Sequence, residues 1–278
     1  MSKSSTDQSQ QRSTSRLTDL LDGPFGAGEI TVTGLKEDIR HPIVLDAHTH
    51  SDGQLVYAAT GVMVVGSDVG YWVVPPTRAL WLAPGVRHWA RTSGDVRLRS
   101  VMFAHGASKP VLSESCVLAV TPLMREVISV LADRTAGTEM SARDSALTAV
   151  LLHELNELPV LPVHLPSLRE SRLSVIERHV LAKPHDQISL ASWAQKLNVD
   201  QRTLHRLFVR QTGMSYRTWL QQAHLLLALE WLADGQKVID VAAGLGYNSQ
   251  SAFTVMFRRN LGTTPAAFFS NTLSGKPA

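Results

Sequence analysis

The chain has 278 residues, 44% of them hydrophobic, with 27 Lys and Arg against 24 Asp and Glu and a single cysteine. That length sets an expectation of two domains, and the apolar content is enough for proper cores. No run of about 18 apolar residues is present to span a membrane, and Cys116 has no partner for an internal disulfide. Neither a membrane-spanning protein nor a disulfide-stapled secreted domain is therefore expected, and the expected location is cytoplasmic.

Residues 1–20 are polar, rich in Ser, Gln and Thr and without periodicity, so a disordered tail with no secretory signal is expected there. From about residue 29 to 120 the pattern is that of strands. Val96-Arg97-Leu98-Arg99-Ser100-Val101 alternates as a strand with one wet face does. Short runs at 54–59, 62–65, 71–74 and 79–83 are separated by Gly, Pro, Ser and Asp. Many short strands at that spacing suggest a barrel or sandwich. Residues 121–159 change to helical spacing, with Leu123, Val127, Val130 and Leu131 on one stretch and Leu147, Val150, Leu151 and Leu155 on the next. Two apolar faces are one more than a helix pair needs to pack on a barrel, so the spare face is expected at a homodimer contact. The alternative is that both are used internally. Pro159, Pro162 and Pro166 make a short stiff linker. Leu173, Ile176 and Val180 then open a helical domain.

Residues 188–269 say one thing twice. Leu190, Trp193, Ala194 and Leu197 sit at i, i+3, i+4, i+7, and so do Val238, Val241, Ala242 and Leu245. A short break follows each set, then a capping residue, Asp200 or Ser249, and a second short helix with Leu204 and Phe208 or Phe253 and Phe257 to bury. Gly213 and Gly262 suit left-handed helix ends, and Trp219 and Phe268 complete each copy in the same register. Helix, turn, helix is thus written twice, joined by an unbroken helical stretch at 216–233, roughly 27 Å long. Such a spacer can set two reading helices near one duplex turn apart, about 34 Å. The outward residues of the second helices are those a base reader needs: Gln201, Arg202, His205 and Arg206, then Gln250, Ser251 and Thr254, with Arg258 and Arg259 at the end. Charge agrees. Residues 168–278 hold 13 Lys and Arg against 7 Asp and Glu, a balance of +6, which leaves −3 for residues 1–167. A basic C-terminal part suits a polyanion.

Residues 188–269 resemble the tandem helix-turn-helix DNA-binding domain of the AraC/XylS family of transcription regulators. The resemblance is carried by Asp240-Val241-Ala242, Gly246-Tyr247-Asn248-Ser249, Phe253, Phe257-Arg258, Gly262 and Thr264-Pro265. It implies base contact by Arg202, His205 and Arg206 and by Gln250, Ser251 and Thr254. The chain departs from the family at His224 and Val255, where an Arg is common. The leucine-rich run Leu225, Leu226, Leu227 and Leu229 is also unusual, and these departures question how much the second head contributes.

In the N-terminal part His48-x-His50-x-x-x-Gln54, Gly61 and Pro84-Gly85-x-x-His88 resemble the two motifs of the cupin barrel. His48 and His50, two apart, share one face if they lie on a strand. The resemblance implies His48, His50, Gln54 and His88 as ligands of one divalent metal ion, with Gln54 in place of the usual carboxylate. A metal-free, partly polar pocket is the other implication. The expected class is α+β, with a tail at 1–20, a cupin-like effector and dimerisation barrel with following helices at 21–165, and an all-α tandem helix-turn-helix at 166–278. The expected function is a DNA-binding regulator of operator sequences, responding to a small molecule. A metal-responsive repressor and a cupin metalloenzyme fused to a DNA reader are the alternatives. No GxSxG, Walker loop or CxxC pattern appears, so no enzyme is expected.

Overall fold

The structure is a computed structural model that describes residues 31–92, 94–104, 112, 114–158, 160–161 and 164–273; the expected tail lies outside them. The described residues divide into two compact units, 31–67 with 72–161 and 68–71 with 164–273.

The N-terminal unit is built on strands β1 (Val32–Ile39), β2 (Val44–His48), β3 (Gly53–Thr60), β4 (Met63–Ser67), β5 (Gly70–Val74), β6 (Arg78–Leu82), β7 (His88–Thr92), β8 (Val96–Phe103), β9 (Cys116–Ala119) and β10 (Val160–Leu161). One antiparallel sheet runs β1-β8-β3-β6-β9-β10 and a second runs β5-β4-β7-β2. Strand β3 is buried on both faces, which explains its near-continuous apolar text. Gln54 and Val56 point to the space between the sheets, while Leu55 and Tyr57 join a core on the other side. That outer core is closed by helices α1 (Pro122–Leu131) and α2 (Ala142–Glu157). Three layers result: helices, first sheet, second sheet.

Several expectations are corrected here. The wet face expected on 96–101 is covered beyond Arg97. Arg99 is buried and pairs with Asp38 at 3.0 Å, and Ser100 Oγ donates to the Leu55 carbonyl at 3.0 Å. The inward face of α1 is Met124, Val127, Ile128 and Leu131, with Leu123 53% exposed. Thr121 caps the helix by accepting from Met124 N. The expected face is off by one position because apolar residues lie on both sides of Val127 and Leu131, Leu123 and Val130 on one and Met124 and Ile128 on the other. Leu151 and Leu155 of α2 are fully buried in the same core, so both helical faces are used mostly within the unit. Leu123 and Val150 are the large apolar side chains left exposed on this pair. Nor is 159–166 merely a linker, since β10 extends the first sheet by pairing Val160 with Leu118 and Leu161 with Val117. Trp72 and Trp81 are fully buried. Burial pushes the Cys116 thiol up to about 11, which keeps it protonated near neutral pH.

The C-terminal unit contains β11 (His164–Pro166) and helices α3 (Ser171–Ala182), α4 (Leu190–Lys196), α5 (Gln201–Thr212), α6 (Tyr216–Ala233), α7 (Val238–Gly244), α8 (Gln250–Leu261) and α9 (Pro265–Leu273). Leu173, Ile176 and Val180 of α3 are buried, as their spacing predicts. The leucine-rich text of α6 has a structural cause: this helix packs on α3, α4's partner α5, α7 and α9, so most of its circumference is covered. Trp219 on α6 is fully buried and donates from Nε1 to the Pro166 carbonyl at 2.9 Å. No helix among the described residues is long and apolar enough to cross a membrane.

Candidate nucleic-acid interface and barrel cavity

Each helix-turn-helix is fixed by its turn. In the first, the N–H of Val199 reaches the Ala194 carbonyl at 3.0 Å and that of Asn198 reaches Gln195 at 3.1 Å. In the second, Tyr247 reaches Ala242 and Gly246 reaches Ala243, both at 2.9 Å. This is the helix-ending motif that needs a left-handed residue, supplied by Asn198 (φ 51°) and Gly246 (φ 77°). Asn tolerates that region; at Gly246 a Cβ would also stand 2.7 Å from the His185 carbonyl, which leaves only glycine. Asp200 caps α5 by accepting from Arg202 and Thr203 N, and Ser249 caps α8 by accepting from Ala252 N. Gly213 (φ 71°) and Gly262 (φ 80°) end both helices. The copies are not in one register throughout, however. Asn248 makes the second turn one residue longer than the first, an offset already present in the spacing of the two apolar sets.

Behind the turns Phe208 sits between Tyr216 and Trp219, ring centres 5.4 and 5.9 Å away. Phe253 likewise meets Tyr247 at 5.6 Å, and Phe257 meets Phe268 at 5.6 Å. His224, also fully covered, donates to the Pro184 carbonyl and packs on Tyr247; its Nε2 has no partner, and burial drives its pKa down to about 4.

With those faces buried, Gln201, Arg202, His205 and Arg206 lie together on the exposed side of α5. On α8, Gln250, Ser251, Arg258 and Arg259 are exposed, whereas Thr254 is half-buried and Ala252 and Val255 share the outer face instead. Helix phase decides this: Phe253 and Phe257 set the inward direction, and Thr254 lies beside it. The ion pairs of this unit among the described residues are Arg172–Glu170 and His179–Asp186, so the guanidinium groups of Arg202, Arg206, Arg258 and Arg259 carry uncompensated charge.

In the N-terminal unit a small cavity of about 30 Å³ lies between the sheets. Its walls are apolar, among them Leu35, Val56, Met63 and Leu98, and its polar end holds His48, Gln54 and His88. His48 faces inward because β2 carries a bulge: Leu45 pairs with Ala90 but His48 pairs with His88, three residues against two. His50 is not on the strand, as the alternation argument requires; it lies in the loop after β2, with its carbonyl accepting from Gly85 N at 2.9 Å. Each imidazole is oriented through Nδ1, which donates to a backbone carbonyl: His48 to Asp46 at 2.8 Å, His50 to Asp52 at 2.6 Å, His88 to Val86 at 2.9 Å. Burial lowers the pKa of His50 and brings that of His88 to about 4, so both rings stay neutral near pH 7.

The expected ligand set His48, His50, Gln54 and His88 is drawn together, yet not as a metal centre. His88 stands between the other two, ring centres 4.4 and 5.0 Å away, while His48 and His50 are 6.2 Å apart. No group of three or more His, Cys, Asp or Glu among the described residues is placed to hold a metal ion. Gln54 brings no charge and is already engaged, its Oε1 3.1 Å from His50 Nε2 and its Nε2 donating to Ser100 Oγ at 3.0 Å. The donor set does not fit an ion.

Residues 193–271 match the family model described as a helix-turn-helix domain. The HTH-type transcriptional regulator NimR of Escherichia coli (strain K12) is 33% identical over 230 residues, spanning 83% of this chain and 84% of that protein. The virulence regulon transcriptional activator VirF of Yersinia enterocolitica is 28% identical over 207 residues, spanning 69% and 72%. Among solved structures, the DNA-binding domain of AdpA in complex with a target DNA is 28% identical, covering 38% of this chain and 98% of that one, with a TM-score of 0.35. With two capped helix-turn-helix units behind an outward basic face, and with likeness to NimR along most of its length, the chain belongs to the AraC family of DNA-binding transcription regulators.

Proposed function

We propose that the chain reads an operator through α5 and α8 in successive stretches of the major groove, and that a small molecule held between the two sheets biases that reading from the cytoplasm. The observation that carries it is the exposed face of α5, where Arg202 and Arg206 stand free of ion pairs beside Gln201 and His205. An unpaired guanidinium on a groove-sized helix is the group that binds guanine O6 and N7 together, with about 1–3 kcal/mol of discrimination. Arg258 and Arg259, in the last turn of α8, suit phosphate contact. For the effector, the cavity's apolar walls and its polar end at His48, Gln54 and His88 favour a largely apolar molecule with one hydrogen-bonding end, and at about 30 Å³ the space has to widen to admit one.

Arg206→Ala is expected to weaken binding to a selected operator about 10- to 100-fold while changing binding to random DNA far less. Arg258→Ala is expected to weaken both equally and to flatten the salt dependence by about one ion. Equal losses for Arg206→Ala on both DNAs, measured by fluorescence anisotropy across a salt series, would reduce that residue to a phosphate contact.

We further propose a homodimer through α1 and α2, where Leu123 and Val150 remain exposed. Two linked readers gain effective concentration on adjacent half-sites. Light scattering of the full chain over a concentration range is expected to give dimer mass that falls in Leu123→Glu; monomer mass throughout rules the dimer out.

A further inference from the structure

We propose that Val255 reads the 5-methyl group of a thymine, at the position in the second half-site where Arg206 meets its base in the first. This rests on the reading that α5 and α8 both enter the major groove. The two helices correspond residue by residue from their caps, Asp200 with Ser249, and from their buried phenylalanines, Phe208 with Phe257. Arg206 and Val255 therefore occupy the same turn and the same outward direction, yet they present opposite chemistries to it.

Val255 is 69% exposed, the most exposed large apolar side chain among the described residues. Isolated surface valines are ordinary. This one is not isolated. Ala252 is exposed one turn before it, so the two form a short methyl-bearing strip on α8. Gln250 and Ser251 flank that strip on one side, Arg258 and Arg259 on the other. A polyanion suits those arginines, and a helix held by them across the phosphates directs the strip at base edges. Valine is also a weak helix former, because its branched side chain loses rotamer freedom against the preceding turn. Local stability thus gives no reason for it here.

In the major groove thymine alone presents a methyl group; guanine, adenine and cytosine present polar edges that valine cannot satisfy. Valine at this place therefore gains contact with thymine. It leaves the polar edges of other bases desolvated without a partner, which is unfavourable. The two heads then demand different bases at equivalent positions, a guanidinium-read guanine in one and a methyl-read thymine in the other. The half-sites would be unequal by construction.

The test starts from duplexes recovered from a random-sequence pool with the full chain. In a recovered duplex each thymine is replaced in turn by deoxyuridine, which lacks only the methyl. At one position in the second half-site the replacement is expected to raise the Kd about fourfold, the equivalent of one buried methyl. In V255A that position should become indifferent to the replacement, while in R206A the effect should persist. The proposal is overturned if no deoxyuridine position weakens binding, or if the effect survives undiminished in V255A. Recovery of no preferred sequence at all would instead overturn the reading that these helices enter the groove, and this proposal with it.

Discussion

Leu151→Glu is expected to destabilise the N-terminal unit by on the order of 5 kcal/mol or more, which unfolds it at ordinary temperatures. From sequence, Leu151 belongs to an apolar face available to a second chain, and a charge there would separate a dimer. In the structure Leu151 is fully buried, packed with Leu155, Met124, Ile128 and Leu131 against the outer face of the first sheet. Removing a buried leucine costs about 2–5 kcal/mol, and an unpaired carboxylate in its place adds its own desolvation. Leu123→Glu is the contrast. At 53% exposure it should change stability by about 0.5 kcal/mol or less while still bearing on any subunit contact. Urea unfolding followed by circular dichroism separates the two, and a folded, merely monomeric Leu151→Glu would contradict this packing.

Acid is expected to remove stability well before the carboxylates titrate. His224 and His88 are both 3% exposed, and burial holds their pKa values at about 4 against an unfolded value of 6.5. Between those values the unfolded chain takes up protons that the folded rings refuse. Each group's contribution is therefore fully present above pH 6.5 and lost as pH falls toward 4. From pH 7 to 5 the loss is about 2 kcal/mol for each histidine, since one pKa unit corresponds to about 1.4 kcal/mol. His224 belongs to the C-terminal unit and His88 to the N-terminal unit, so both transitions should move. His224→Gln keeps a donor for the Pro184 carbonyl and has nothing to titrate. In that variant the pH dependence of the C-terminal transition from 7 to 5 should shrink by about 2 kcal/mol, leaving the opposed contributions of buried His164 and Glu177. Equal pH dependence in the variant and the native chain would show that His224 is already protonated or solvated in the fold.

The two reading heads are written locally, and that is why they were legible. Apolar spacing on α4 and α7, capping oxygens at Asp200 and Ser249 and left-handed glycines at 213 and 262 each act within a few residues. Their effect does not depend on what packs elsewhere. The same locality made Gln201, Arg202, His205 and Arg206 readable as one outward stripe once Leu204 and Phe208 were placed inside.

What the sequence could not settle was decided between distant segments. Which side of α1 faces in depended on the first sheet, because apolar residues lie on both candidate sides, Leu123 and Val130 on one and Met124 and Ile128 on the other. Arg99 and Ser100 read as a wet face and are buried, since Asp38 and the Leu55 carbonyl, far away in the chain, satisfy them. Strand alternation placed His48 and His50 on one face, whereas a bulge in β2 and a loop tied to Gly85 bring them together. How the nitrogens and the Gln54 amide of that cluster are engaged is likewise something no sequence motif encodes. On α8 the inward direction set by Phe253 and Phe257 half-buries Thr254 and turns Val255 outward. Residue types and local helices were thus fixed along the chain, while burial, partner choice and side-chain direction waited on contacts that only close-packing in three dimensions creates.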